Sequence, residues 1–563
     1  MATIAESWKS GLYSRLFAAG RILGPWPLLL PTAMLLFPTV DFPLNDDWQY
    51  AYPVMTWVQD GQPAFKGVFA PNILLQVGWG YLFCEAAGSF GFRWLQWSTM
   101  TLAILALLFF SLLLELTGAG KLRHLFTGTM GLNPLFFSLS FTFMTDVPFL
   151  SFCLVSLYGW FRFTLAPSDH KWAALAVISA LSSYGIRQPG LLLLPTYATI
   201  IWLLPVRRRL PKSLLLLSLT AAAYFGMEKI LKPALDISDN FVPVGLLYFR
   251  TLLEQPVTVL AEWVRKSLKS IIYIGLFAIP LLPLTWPAIQ KSGRLTPRFL
   301  LLTALSNGFL LTAMANQGKI FPFGGNILFN IGLGPELLAD VYTLGLKNTP
   351  SLPIPLLLAI QLAGQLGATS FVVFLAVRWQ ACPAPLRPFL YTLVLLNALY
   401  LPALSITSFF DRYLLLPLAS FLLIIAMLLR HNRSNTVRPA RLLLLPFALF
   451  SCLATHDYLE WNRARKAAFL WLSDQGVSIR QMDAGYEYNG LYNYHRERAD
   501  RTDTSFWWVT NNDWLISFGA VPGYLPVAAF PYQRWLVARQ DRIFVQRKIL
   551  PKDSLPIRSD QQP

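Results

Sequence analysis

Acidic residues are scarce in this chain, and so are the residues that build metal cages and disulfide frameworks. Asp and Glu total 29 against 46 Lys and Arg, and 563 residues include only 4 Cys and 5 His. The cysteines, Cys84, Cys153, Cys382 and Cys452, lack CxxC spacing and sit mostly in apolar or amphipathic surroundings, where an inert buried thiol is the default. His124, His170, His431, His456 and His495 are scattered without zinc-ligand spacing. Charge is also sparse: 13% of residues are charged, too few to give a soluble protein of this length its polar faces. No internal repeat or long low-complexity linker is evident.

What fills the chain is apolar. It is 55% hydrophobic with a mean hydropathy of +0.47, and runs of roughly 18–25 apolar residues, the length that crosses a bilayer, recur throughout. The fold class is therefore a polytopic α-helical membrane protein. A net charge of +17 raises the question of nucleic acid, but the basic residues fall in short loops between spans. That is the positive-inside pattern, and it excludes a nucleic-acid partner in favour of membrane lipids. The first run, near 22–40, lacks a small-residue cleavage site and reads as a span rather than a signal peptide.

Alternating these loops across the membrane predicts about thirteen spans, with the amino terminus cytoplasmic and the carboxyl terminus outside. Spans are expected near 93–116, 124–142, 147–165, 213–231, 299–315, 353–377, 389–409, 413–429 and 442–456. The stretch 172–205 reads as two short spans meeting at a broken corner, Tyr184–Gly190. External loops 41–92, 233–267 and 316–352 carry interfacial helices, including 47–60, 72–87 and Leu252–Lys269. Residues 1–457 form the transmembrane domain. Residues 458–563 read as a small extracytoplasmic α/β domain that opens with a helix near Tyr458–Gln475. Strand-like runs at Ser505–Thr510 and Trp535–Val537 alternate there with turns at Asp513, Pro522-Gly523 and Pro526.

Two acidic sites stand out on the face expected to be external. The first follows the opening span: Asp41-Phe42-Pro43-Leu44-Asn45-Asp46-Asp47-Trp48-Gln49-Tyr50-Ala51-Tyr52. Carboxylates so near the hydrocarbon boundary are costly and usually functional; an interfacial turn with Asn45 or Asp46 as an N-cap is the bland alternative. The second is Asp146, before Val147-Pro148, which reads either as functional or as a cap for the next helix. Cations at the same depth are Arg187 in the broken corner, Arg412 in Asp411-Arg412-Tyr413, and Lys66 and Lys319 in loops. Each is a phosphate ligand or a snorkelling side chain, and Arg412 has the further option of pairing with Asp411. In the tail, Tyr486-Glu487-Tyr488-Asn489-Gly490 with Tyr492, Tyr494 and His495 suits either sugar binding or packing onto the membrane domain.

Asp46-Asp47-Trp48-Gln49-Tyr50-Ala51 and Asp146-Val147-Pro148-Phe149, in this order and on one face, resemble motifs of the GT-C superfamily of polytopic glycosyltransferases. The likeness is to the protein O-mannosyltransferase and aminoarabinose-transferase branch. Arg412-Tyr413 followed by Pro417 is similar to a further pattern of its bacterial members. The resemblance implies a multi-pass bacterial inner-membrane enzyme that moves a sugar from a polyprenyl-phosphate donor to a lipid, glycan or protein acceptor. It implies Asp46 as the base, with Asp47 and Asp146 orienting it or coordinating a divalent metal, Mg2+ or Mn2+. Arg187, Arg412, Lys66 and Lys319 would then bind the donor phosphate, and Tyr50, Asn72, Glu487 and His495 would contact substrate. Where the aminoarabinose branch carries Lys-Pro-Pro, this chain has Phe69-Ala70-Pro71-Asn72, which leaves the donor unnamed. A rival reading is a transporter or lipid-binding protein whose charges form a pathway.

Overall fold

The computed structural model describes residues 40–65, 72–237, 250–324, 327–349, 352–403, 409–429, 436–494, 508–509 and 512–549. The expected first span, Lys66 and His495 lie outside them, as do most of Ser505–Thr510. Among the described residues, eight helices are long and apolar enough to cross a membrane. They become nine if Pro256–Phe277 and Ile279–Lys291, bent by 54°, form one span. The segment expected as a separate interfacial helix before residue 269 thus runs straight into that bent pair.

Other parts of the expected span count are built from shorter pieces. The 124–142 stretch is two helices, Arg123–Gly131 and Pro134–Leu139. Asn133 divides them, its side chain accepting from the Leu135 amide at 3.0 Å while Pro134 opens the second helix. The 172–205 stretch is His170–Tyr184, a 3-10 turn Gln188–Leu192 and Leu193–Ile200, so the broken corner falls where the sequence places it. The loop after the first acidic motif holds helices Asp47–Asp60 and Leu74–Ala86, separated by Gly61 in the left-handed region, as expected.

Burial divides the spans into two groups. In their most apolar windows Asp146–Leu165 and Asp411–Leu428 are 83% and 89% buried, whereas Arg209–Ala234 and Pro297–Asn316 are each 11% buried. In water the second group would be unstable; in lipid an apolar helix face needs no protein cover. The two central spans open with Asp146 and with Asp411-Arg412. The middle of the bundle therefore ends at the charges that the sequence singled out.

The last span, Val437–Asp474, is one helix of 38 residues that runs unbroken through the expected boundary at 457–458. On its far half rests a four-stranded sheet of β1 (Met482–Asp483), β2 (Trp514–Ser517), β3 (Tyr524–Arg534) and β4 (Arg539–Lys548), in the order β1-β2-β4-β3. β1 pairs with β2 in parallel and the other pairs are antiparallel. Two local expectations are corrected here. Trp535–Val537 is the turn joining β3 to β4 rather than a strand, and Pro526 lies within β3 at a register shift rather than in a turn. β3 is an edge strand, where a proline with no N–H to donate is tolerated.

Candidate active site

Asn45 adopts a left-handed conformation, φ 58°, just before the helix Asp47–Asp60. Asp46 is at the N-cap position, yet its side chain makes no cap bond. It is turned outward instead: Oδ2 lies 2.7 Å from Arg412 Nη2, and Oδ1 accepts the Tyr486 hydroxyl at 2.9 Å. The carboxylate stays 19% exposed. Each of its oxygens has two lone pairs, so both can still accept a proton or a further donor.

Asp146 is the first residue of its helix, after the N-cap position Thr145; its partner is Arg187 from the broken corner. Arg187 lies over the Tyr413 ring at 4.8 Å and Arg412 over the same ring at 5.5 Å, so one aromatic separates the two ion pairs. Tyr50 is buried in the field of all four charges. Two polar atoms here, Asp146 Oδ2 and Arg412 Nε, are buried with no hydrogen-bond partner among the described residues.

Beside each working group sits an acid spent on the backbone. Asp47 accepts the Leu44 amide at 2.6 Å and the Phe143 amide at 3.3 Å, and so ties the first motif to the turn that leads into Asp146. Burial pushes its carboxyl well above the usual range, against the pull of those two amides. Asp411 accepts the amides of Ile327 at 3.2 Å and Leu328 at 2.9 Å, so the local pairing open to Arg412 is not the one it makes. Glu487 accepts the Asn45 amide at 3.0 Å and pairs with Arg465 at 2.6 Å, with both side chains fully buried.

That last brace draws the tail helix Tyr486–Asn493 onto the acidic motif. Trp48 packs edge-on against Tyr486, Tyr494 and Trp508, with ring centroids 6.0, 5.5 and 5.5 Å away. A Cβ at Gly490 would collide with the Trp48 ring, so glycine sets the closeness of this contact. Burial, then the Asp46 charge, pushes the Tyr486 phenol well above its usual range, which keeps it a hydrogen-bond donor.

Several expected roles are therefore redistributed. Asp47 and Glu487 are braces and not free ligands. Asn72 is buried with its amide donating to the Tyr184 carbonyl at 3.0 Å, and Tyr50 forms part of the packed wall. The expected metal pair does not fit: both Asp47 oxygens hold amides, Asp146 faces Arg187, and no group of three or more metal-binding side chains occurs among the described residues. Lys319 lies close enough to Lys269 to act on it electrostatically, together with Arg265, Lys266 and the single acid Glu262. Lys269 was not singled out by the sequence; it is 7% exposed, lies 5.9 Å from the Phe409 ring centroid and has no carboxylate partner among the described residues. The sequence cue was a lysine one turn before Tyr273, where the charged half of the helix, Glu262 to Lys269, gives way to its apolar half.

No family model and no curated protein matches the chain. Two crystal structures of ArnT from Cupriavidus metallidurans are similar to it. The apo state shares 13% identity at a TM-score of 0.32, over 86% of this chain and 84% of ArnT. The form bound to undecaprenyl phosphate shares 12% identity at a TM-score of 0.33, over 83% and 80%. Superposition at that level carries no weight for the reaction, and the assignments below rest on the residues of this chain.

Proposed function

We propose that this chain is a glycosyltransferase that takes a sugar from a polyprenyl-phosphate donor and passes it to an acceptor hydroxyl at the Asp46 end of the bundle. The observation that carries the reading is the state of Asp46, an open carboxylate held by Arg412 and Tyr486 at the mouth of the two most buried spans. Asp46 accepts the proton of the acceptor hydroxyl as its oxygen attacks the anomeric carbon. The bond from that carbon to the phosphate oxygen breaks, the electron pair leaves with the phosphate, and the configuration inverts. The four site charges cluster at helix ends and are not strung along the spans, which favours a reaction over a permeation pathway. The basic loops at the opposite ends support an external Asp46 face. Hexosyl or pentosyl identity, and the choice among lipid, glycan and protein acceptors, belong to contacts beyond these groups.

The donor phosphate needs cations with spare capacity. Arg412 pairs with Asp46 through Nη2 and retains an unused Nε–H, while Lys269 has three cations, Arg265, Lys266 and Lys319, against the single acid Glu262 as its charged neighbours. Arg412 lies 5.0 Å over Phe410 and Lys269 5.9 Å from the preceding ring, Phe409, so both cations lie against the same short stretch of chain. We assign the phosphate to this place, with Arg187 holding Asp146.

Asp46→Asn tests the base. Transfer from a labelled polyprenyl-phosphate sugar should fall by roughly 10²–10⁴-fold, with the protein still folded; retained turnover removes Asp46 from the mechanism. For the phosphate, Lys269→Gln should raise the donor KM about tenfold or more, the value of one charge-assisted bond, with little effect on the acceptor KM. An unchanged donor KM would return the phosphate to Arg187 and Arg412 alone.

A further inference from the structure

The hairpin that joins β3 to β4 is pinned to the membrane helix in an uncommon way. The Asp457 carboxylate accepts the amides of Trp535 at 2.7 Å and Leu536 at 3.1 Å, so the turn is capped by a side chain of Val437–Asp474. The Trp535 ring stacks on His456, centroids 3.5 Å apart and planes 10° from parallel. Leu536 points inward: a Cβ on Gly332, whose φ is 135°, would lie 3.0 Å from Leu536 Cδ2 and 3.5 Å from Ala454 Cβ. Its neighbours point outward, Trp535 being 48% and Val537 43% exposed.

The height of this turn along the helix gives the exposure a meaning. Leu442, Leu445 and Leu449, spaced three and four residues apart, form an exposed apolar stripe on the same helix, the face that lipid must cover. Asp457 is eight residues beyond Leu449, about 12 Å at the helical rise. Past it come Glu460, Arg463, Arg465 and Lys466, so Asp457 marks the level where the apolar half of the helix ends. An exposed tryptophan and valine held at that level, continuous with a lipid-facing stripe, meet the requirements of the bilayer interface. In water the same side chains would form an unshielded apolar tip.

We propose that Trp535–Ala538 is a membrane-interface anchor: Trp535 and Val537 seat in the headgroup boundary on the Asp46 side, with Asp457 setting their depth. The occupant is lipid, and the proposal is independent of the transfer reaction. The experiment places an environment-sensitive fluorophore on Val537→Cys in the full chain carrying Cys452→Ser, since the other three cysteines are buried. The protein is reconstituted in vesicles of phosphatidylethanolamine and phosphatidylglycerol. A control label goes on Gln533→Cys, on the exposed side of β3. The label at 537 should emit to the blue of the control, and lipids carrying a quencher near the headgroup should quench it at least twofold more than the control. Emission and quenching equal to the control would overturn the anchor, and a blue shift without lipid quenching would do the same by indicating a protein contact instead.

Discussion

Three times in this molecule two chain neighbours have opposite fates. Asp46 and Tyr486 are partly open and bonded to each other, with the buried Arg412 holding Asp46 from the wall; Asp47, Glu487 and Asp411, one residue away from these three, are fully buried and hold backbone amides. Where a helix begins, successive side chains diverge by about 100°, so one can point to solvent and the next into the wall. Under the proposed function the chemistry falls to Asp46, the acid that water reaches. The sealed set fixes geometry: Asp47 binds the turn before Asp146, Glu487 binds the tail to Asn45, and Asp411 binds the loop at Ile327. A carboxylate beside an arginine is thus not diagnostic by itself. Asp46–Arg412 and Glu487–Arg465 are chemically the same pair, and access separates them.

The largest blow to that contrast falls on the sealed side. Arg465→Met strands Glu487 in an environment with no water and no cation, and should cost roughly 3–5 kcal/mol, read as a marked fall in melting temperature in detergent. Asp46→Asn should lower melting far less, because that carboxylate is partly open to water and the asparagine oxygen can still accept from Arg412. Equal melting of the two variants would erase the distinction between open and sealed pairs.

Tyr486→Phe probes the open side more gently. It removes one hydrogen bond to a charged group, worth about 1.5–3 kcal/mol, so turnover should drop roughly 10–100-fold with melting close to the parent. A drop in melting with turnover unchanged would make Tyr486 a packing residue.

The smallest effect concerns Asp340, a sealed carboxylate with no cation. Oδ2 accepts the Asn348 side-chain amide at 2.9 Å and the amides of Phe518 at 3.0 Å and Gly519 at 3.2 Å. Burial raises its pKa from 3.8 to about 6 despite those donors. Between those values the unfolded chain has released its proton and the folded chain has kept it, so stability falls as pH rises through the window and stays lower above it. Asp340→Asn can keep all three accepted bonds on one oxygen. It should flatten the pH dependence of melting from about 4 to 6 and, once the cost of an unpaired amide N–H where Oδ1 now lies is set against the roughly 3 kcal/mol of the shift, gain about 1–2 kcal/mol at pH 7; an unchanged slope would assign it to other groups.

Much of the architecture was legible because lipid imposes simple rules. Apolar runs of the right length marked Phe92–Leu116, Asp146–Leu165, Pro297–Asn316 and Ile354–Ala381 as spans, and the corner at Tyr184–Gly190 broke where proline and glycine interrupt. The tail was read less well. Trp535–Val537 has the composition of a strand but forms a turn, since an anchoring carboxylate on another helix, and not local propensity, decides its shape.

By itself the sequence determined which residues are expensive at the membrane boundary: Asp46, Asp146, Arg187 and Arg412 are charges that a bilayer protein does not keep there without use. It could not decide their partners. Arg412 has an acid as its immediate neighbour yet pairs with Asp46, because Asp411 is turned to the amides of Ile327 and Leu328. Only the tertiary structure separated Asp46 from Asp47, brought Tyr486 to the site and revealed Lys269. Those outcomes depend on which groups the packed chain leaves open to water, and that is a property of distant contacts which no local stretch encodes.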